Sequence, residues 1–183
     1  MIYLWITVVI GVVLIVWIAI TFNSLIHKRN RVKNAWSDIE VQLKRRYDLI
    51  TNLVEVVKGY KEYEASVLEN VVKARTNAIN QSNISEKAQA ENILSEALKS
   101  LFAVAENYPQ LKASENFQKL QDQLFAVEND IQSARRYYNA AVREFNNAVQ
   151  VFPSNIVAKI FGFKQCEFFG AEESEKEVVR VSF

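Results

Sequence analysis

Residues 36–60, WSDIEVQLKRRYDLITNLVEVVKGY, carry the pattern that decides the fold. Apolar residues recur there in alternating steps of three and four, the spacing of a helix that packs along another helix. The stripe consists of Trp36, Ile39, Leu43, Ile50, Leu53, Val57 and Tyr60. The slot between Leu43 and Ile50 holds Arg46, and a buried guanidinium without a partner is very costly. The stretch therefore predicts a long packing surface on which Arg46 either reaches water or finds polar partners on other helices.

The composition favours long helices. The chain of 183 residues has four glycines and two prolines, which is few for a loop-rich sandwich or a phosphate-binding fold. Its net charge of +1 provides no field that would recruit nucleic acid. The single cysteine, Cys166, excludes an intramolecular disulfide framework. We expect one helical domain and no nucleic-acid partner.

The segment before the opening stretch, residues 1–26, contains no charged side chain. A hydrocarbon core of roughly 30 Å needs about 20 apolar residues in a helix, and residues 2–22 provide them. No basic region precedes this segment and no small-x-small site follows it, which argues against a cleaved signal peptide. A buried core helix is the alternative. We expect a transmembrane anchor over residues 1–26.

A basic juxtamembrane segment, residues 27–35, follows the span at once. Its cations are Lys28, Arg29, Arg31 and Lys33. Because no cation precedes the span, the positive-inside rule predicts a single-pass protein of the bacterial inner (cytoplasmic) membrane, with the N-terminus outside and the bundle in the cytoplasm. The same cations suit anionic headgroups, so the lipid bilayer is an expected partner.

Two helices are predicted before the second half of the chain. Helix one runs over residues 24–78, with Gly59 as a weak point because glycine costs about 1 kcal/mol in a helix relative to alanine. Helix two covers residues 85–108, with Ser85 as its N-cap, and ends before Pro109. Its predicted stripe consists of Ala90, Ile93 or Leu94, Ala97, Leu101, Val104 and Tyr108.

Helix three, capped by Ser114, has the most regular stripe in the chain, and its spacing is typical of a coiled-coil seam. The stripe consists of Phe117, Leu120, Leu124, Val127, Ile131, Ala134, Tyr138, Ala141, Phe145, Ala148 and Phe152. Phe125, Tyr137 and Val142 widen this apolar face beyond what a two-helix coil needs. We therefore predict an all-α fold, in which the transmembrane helix continues into a long antiparallel three- to four-helix bundle over residues 36–163.

The last predicted element is PSNIVAKIFGF, residues 153–163, which is amphipathic and about two turns long. It either closes the end of the bundle, which we favour, or lies on the membrane surface. Residues 164–183 form a C-terminal tail. From Ala171 onward this tail has four acidic residues within six positions and no packing pattern, so we expect it to be mobile.

Several motifs resemble those of the LemA family. They are W-x-x-I-x-x-Q-L-K-R-R-x-D-L-I at residues 36–50, E-N-Y-P-x-L-K-A at 106–113, A-R-R-x-Y-N at 134–139 and F-P-S at 152–154. The resemblance implies a bacterial, membrane-anchored helical bundle that assembles or organises membrane structures, with relatives in magnetosome formation and an association with a membrane metalloprotease. The family usually has proline after D-L-I, and Thr51 in that place implies a straighter helix.

Residues suited to catalysis are scarce. His27 is the only histidine, so the chain lacks the histidine pairs of di-iron bundles and the histidine–cysteine sets of zinc sites. Neither a glycine-rich phosphate loop nor a nucleophile elbow occurs. A lone cysteine near aromatic residues, as Cys166 is, more often packs than reacts. We expect no enzymatic activity, no metal and no cofactor.

Polar residues flank the apolar stripes and are the candidates for a site. They are Arg45, Arg46, Asp48, Asn52, Glu106, Glu128, Arg135 and Asn139. They form either a cleft or partner surface, or a buried network that fixes the pairing and register of the helices, and we favour the network. Glu106, Glu128 and Asp130 are the acidic candidates to neutralise Arg46.

These observations predict a non-enzymatic scaffold that acts at the membrane as a homo-oligomer or through partner helices. Tethering to a bilayer raises effective concentration, so weak contacts suffice for assembly. One alternative is an adaptor or restraint for a membrane metalloprotease, which rests on the resemblance alone. A second alternative is a membrane-remodelling protein, which rests on the basic segment and the phenylalanines of residues 153–163.

Overall fold

The computed structural model describes residues 1–59 and 64–170, and every regular element in that part of the chain is a helix. The helices are α1 (Ile2–Lys58), α2 (Ala65–Asn80), α3 (Ile84–Ala105), α4 (Pro109–Lys112), α5 (Glu115–Gln150) and α6 (Ser154–Ile160). They form two compact units. The anchor unit is Met1–Ser37 with Tyr137–Cys166, and the bundle unit is Asp38–Arg136 with Glu167–Phe183. The predicted all-α class is confirmed.

The first part of α1 is long and apolar enough to cross a membrane by length and composition. Its large apolar side chains are exposed, among them Leu4, Val13 and Ile15. A core helix of a soluble protein would instead be covered by its neighbours. The helix continues without a break into the stretch that begins at Trp36, as predicted.

In the anchor unit, α1 and α5 run antiparallel. The Arg31 guanidinium contacts the Glu144 carboxylate at 2.8 Å, and the ring centroids of Trp36 and Tyr138 lie 5.5 Å apart. A later position on α1 thus meets an earlier one on α5. Leu25 is buried against α6, which closes this end of the unit with its inner face.

In the bundle unit, the second part of α1 packs with α2, α3 and the first part of α5. The stripe of α1 from Ile39 to Val57 is buried at every predicted slot, and Arg46 is only 2% exposed. A three-residue turn joins α2 to α3, and these helices pack against each other. The Arg75 Nε donates to the Tyr47 carbonyl at 2.9 Å, which ties α2 to α1. The predicted helical bundle is confirmed.

The predicted first helix is wrong in one respect, because it does not continue to Ala78. Helix α1 ends at Lys58, next to Gly59, and α2 begins at Ala65. The apolar alternation extends past the break because α2 also buries a three–four stripe, which includes Leu68 and Val71. Periodicity alone therefore did not show where one helix ended and the next began.

The N-cap predicted for the following helix is also corrected. Asn83, rather than Ser85, caps α3, since its Oδ1 accepts from the backbone N–H groups of Ser85 at 2.8 Å and Glu86 at 3.3 Å. Asparagine is as good a cap as serine, so the residue nearer the turn takes this position.

The end of α5 departs from its stripe. Phe145 is buried, whereas Phe152, the last predicted member, is 74% exposed.

The mobility expected from Ala171 onward concerns residues outside the described part of the chain. The predicted division at residues 26, 35 and 163 stays a prediction.

Candidate functional site

The candidate site is a charged cluster in the bundle unit, built around Arg46. The Arg46 Nη1 lies 3.1 Å from the Glu91 carboxylate on α3 and 3.2 Å from the Glu128 carboxylate on α5, and its Nη2 donates to Ser95 Oγ at 2.8 Å. The stripe of α1 aims this guanidinium inward, since it stands where a core side chain would stand. Three helices are thereby joined through one side chain.

Glu91 is the most deeply buried member of the cluster, with no exposed surface. It accepts a hydrogen bond from the Tyr47 hydroxyl in addition to its pairing with Arg46. Burial raises the pKa of the Glu91 carboxyl, and the hydrogen bond and the Arg46 charge oppose that rise. Burial and the adjacent Glu91 raise the pKa of Tyr47, so its hydroxyl keeps the proton that it donates.

A second guanidinium, that of Arg135, borders the cluster. It lies 4.7 Å from the centre of the Phe169 ring, within the range of a cation–π contact. Burial lowers the pKa of Arg135, and the carboxylates of Glu128 and Glu91 oppose that change. Within residues 1–59 and 64–170, its buried Nε and Nη2 have no hydrogen-bond acceptor. The cluster therefore contains two guanidinium groups and two carboxylates, which balance in formal charge.

A cavity of about 390 Å³ opens between α3 and α5, with Arg46 at its base. We call it the α3–α5 groove. Its walls are apolar at Leu98, Phe102, Leu124 and Phe125. The rings of Phe102 and Phe125 lie 5.7 Å apart, and Phe125 is 53% exposed. The remaining lining residues are polar or charged: Asn92, Ser95, Glu96, Lys99, Glu128 and Gln132.

The groove has apolar walls and a charged rim, which suits it to binding apolar groups. The Arg46 guanidinium already has Glu91, Glu128 and Ser95 as partners, so it does not present a free cation to an anionic ligand. No group of three or more His, Cys, Asp or Glu in the described residues could hold a metal ion. In the anchor unit, burial raises the pKa of the Cys166 thiol, which lowers its thiolate fraction.

Comparison with known proteins assigns the chain to a family. The model of the LemA family matches residues 35–183, which is more than half of the chain. The chain belongs to the LemA family. It is 29% identical over 165 residues to Protein LemA of Metamycoplasma hominis, covering 87% of this chain and 74% of that protein.

Two magnetosome proteins are also similar to this LemA-family chain. Magnetosome protein MamQ 2 of Paramagnetospirillum magneticum is 26% identical over 174 residues, and Magnetosome protein MamQ of Magnetospirillum gryphiswaldense is 24% identical over the same length. Each match covers 81% of this chain and 64% of the magnetosome protein. The names of these relatives are not names of enzymes.

Of the predicted polar residues, the structure pairs Arg46 with Glu128 and places Arg135 at the border of the same cluster. Arg45 lies outside this cluster and pairs with Asp130 at 3.7 Å on the surface. The other predicted members lie elsewhere: Asp48 and Asn52 are exposed on α1, Glu106 is exposed and pairs with Lys112, and Asn139 is half-buried in the anchor unit.

The basic residues that follow the span contact the end of α5 and the segment after α6. Lys28 and Arg31 both approach the Glu144 carboxylate, at 3.8 and 2.8 Å. The Arg29 guanidinium lies 5.3 Å from the centre of the Phe163 ring, and Lys33 is exposed. Three of these four cations therefore contact other parts of the anchor unit.

Sequence reasoning missed Glu91, Tyr47 and Ser95. The signal for Glu91 was present, because Glu91, Leu94, Leu98, Leu101 and Ala105 follow the three–four spacing and all are buried. The predicted stripe of this helix included Leu101 and left Leu94 open, but it ran through Ala90 and Ala97 instead of Glu91 and Leu98. An acid in a stripe slot of α3 is the counterpart of the arginine in a stripe slot of α1.

Proposed function

We propose that this LemA-family protein is a non-enzymatic, membrane-anchored scaffold that holds an apolar segment of a partner protein in the α3–α5 groove. The observation that carries the proposal is the exposure of Phe125 beside Phe102, in a cavity with apolar walls and a charged rim. Apolar grooves with a few fixed polar groups are the usual binding sites for amphipathic helices and for small apolar ligands.

The cluster below the groove supports a binding role because it fixes the groove before a partner arrives. Arg46 holds α1, α3 and α5 in one register through Glu91 and Glu128. A preformed site loses less conformational freedom when it binds, so more of the contact energy remains as affinity. The rim charges Lys99 and Glu96 are exposed and can select the register of an incoming helix.

The membrane setting is part of the proposal. The apolar start of α1 is long enough to cross a membrane, which supports attachment to the bacterial inner membrane. The cations at Lys28, Arg29, Arg31 and Lys33, directly after the span, favour a cytoplasmic bundle with the N-terminus outside. Confinement to a surface raises the effective concentration of a partner in the same membrane. That partner is a second copy of this chain, a membrane protease or another membrane protein.

Photo-crosslinking of the full-length protein in cells tests this proposal. A photoreactive amino acid replaces Phe125 in the groove, and the matched control carries it at Tyr137, which is also aromatic, on α5 and 53% exposed, but does not line the groove. We expect discrete crosslinked protein products from position 125 and markedly fewer from position 137. Mass spectrometry of the product distinguishes a second copy from another membrane protein.

A blocking variant completes the design. Phe102→Asp places a charge in the apolar wall of the groove, at a side chain that is only partly buried, and should abolish the crosslinks from position 125 without changing membrane insertion. Equal crosslinking from positions 125 and 137, or crosslinks that survive Phe102→Asp in a folded protein, would contradict binding in the groove.

A further inference from the structure

We propose that the corner formed by residues 151–161, where α5 passes into α6, is a second membrane-inserted element beside the span of α1. This inference concerns the anchor unit and goes beyond the proposed scaffold function. It identifies the partner of an exposed apolar surface as the lipid bilayer, at the boundary between acyl chains and headgroups.

Helix α6 contacts α1 at the end of the predicted span. Val157 and Ala158 are buried with Leu25, and Trp17, Ile18 and Phe22 pack against this cluster. A span of about 20 residues fills the hydrocarbon core, so a span of residues 2–22 ends where these contacts are made. Trp17 lies five residues before Phe22, which corresponds to about 7.5 Å of helix inside the apolar layer.

Aromatic contacts fix the corner at the same level. The ring centroid of Phe22 lies 4.7 Å from that of Phe161 and 5.8 Å from that of Phe163. The residues that follow α6 therefore lie against the last turn of the span. An interfacial helix typically buries its apolar face about 5–10 Å into the headgroup and acyl boundary, which is the depth that these contacts give α6.

The outward surface of the corner is apolar. Five large apolar side chains are exposed there: Val151 at 58%, Phe152 at 74%, Ile156 at 48%, Ile160 at 69% and Phe161 at 50%. Soluble proteins seldom leave so large an apolar surface in water, and such patches mark interaction sites. Phe152 continues the apolar stripe of the buried Phe145, but no other part of the described chain covers it.

The charges around the corner favour lipid, rather than a second protein, as the occupant of its apolar surface. Arg29 lies over the Phe163 ring, and Lys159 and Lys164 are exposed close to the apolar surface. Cations at the edge of an inserted apolar face contact anionic headgroups, and their aliphatic stems extend along the apolar boundary. At the depth of Trp17 and Phe22 the surroundings of the span are acyl chains, so the occupant of the exposed surface is the bilayer.

The test uses the full-length protein in vesicles of phosphatidylcholine and phosphatidylglycerol. In a Cys166→Ser background, spin labels are attached to Phe152→Cys or Ile160→Cys, and to the control Tyr137→Cys. Tyr137 lies on α5, about 20 Å along the helix axis before its end at Gln150. Its neighbour Tyr138 contacts Trp36, well past the span. Collision with oxygen reports lipid, and collision with a water-soluble nickel complex reports solvent.

We expect labels at positions 152 and 160 to collide several-fold more with oxygen than with nickel, and the label at 137 to show the opposite preference. Water-like accessibility at 152 and 160 overturns the proposal. Protection from both reagents that disappears when the protein is diluted in lipid also overturns it, because it identifies a second copy as the occupant.

Discussion

Arg46 and Arg31 lie on the same helix, and each places its Nη1 against a glutamate of α5. The pair in the anchor unit is the shorter, at 2.8 Å from Arg31 to Glu144, whereas Arg46 is 3.2 Å from Glu128 in the bundle unit. The Arg31 side chain is 53% exposed, and that of Arg46 is 3% exposed. The two pairs share their chemistry and differ in their environment.

Burial, rather than distance, decides how much stability is lost when one partner of such a pair is removed. When Arg31 loses Glu144, water and salt replace the carboxylate at little cost. When Arg46 loses Glu91, the guanidinium stays in a site that water reaches poorly, and a buried charge without its partner is strongly destabilising. The buried pair thereby penalises any other register of α1, α3 and α5.

Removal of Glu91 is expected to have the largest effect. Glu91→Ala leaves Arg46 with one carboxylate instead of two and leaves the Tyr47 hydroxyl without its acceptor. The unfolding free energy should fall by about 3–5 kcal/mol, the range for breaking a buried pair. Arg46→Ala should act in the same direction, because it leaves Glu91 buried without its cation. Chemical unfolding of the full-length protein in detergent, followed by circular dichroism, measures the loss.

Glu96→Ala is the matched control for this measurement. Glu96 is on the same helix, five positions after Glu91, and its exposed carboxylate pairs with Lys99 at 2.7 Å. Its removal should change the unfolding free energy by less than about 0.5 kcal/mol, as is usual for exposed positions. Equal losses for Glu91→Ala and Glu96→Ala would show that burial is not what separates the two classes of pair.

The pH dependence of stability is expected to separate burial from ion pairing at Glu91. Burial raises the pKa of this carboxyl above its ordinary value of 4.5, so the folded protein binds the proton more tightly than the unfolded chain does. The resulting stabilisation is fully present below pH 4.5 and is lost as the pH rises through the folded-state pKa.

The comparison protein for this prediction is Glu91→Gln, which cannot titrate at that position. The unfolding free energy of the unchanged protein minus that of the variant should increase as the pH falls from neutral toward 4.5, by less than the loss in Glu91→Ala. Denaturant curves of both proteins across a pH series give the difference. A difference that decreases on acidification would mean that the attraction of Arg46 outweighs burial.

The periodic parts of the fold could be predicted from the sequence, because a three–four stripe is a local property. The stripe from Trp36 located Arg46 in the core, and the stripe of α5 located Val127 and Ile131. The break between α1 and α2 could not be located in the same way, since the alternation continues on both sides of it. Gly59 was the residue that indicated a weak point, and α1 ends immediately before it.

The candidate site was harder to predict because it depends on which helices meet. Arg46 in a core slot predicted acidic partners, and Glu128 was among the candidates. The most deeply buried partner, Glu91, was missed because the stripe predicted for its helix ran through Ala90 instead. The spacing of Glu91 to Leu94 and Leu98 would have identified it. Neither the α3–α5 groove nor the exposure of Phe152 is visible in a single helix, since both arise where helices meet or end.

Removal of the exposed pair is expected to have the smallest effect. Arg31→Ala should lower the unfolding free energy by at most about 1 kcal/mol, the usual limit for a surface ion pair. Glu144→Ala should cost slightly more than Arg31→Ala, because Glu144 also contacts Lys28 at 3.8 Å. At about 1 M salt the screening length falls to about 3 Å, so the effect of Arg31→Ala should disappear while that of Glu91→Ala persists. Unfolding curves at low and high salt measure both, and an Arg31→Ala loss that matches Glu91→Ala or survives high salt would remove the distinction between the buried and exposed pairs.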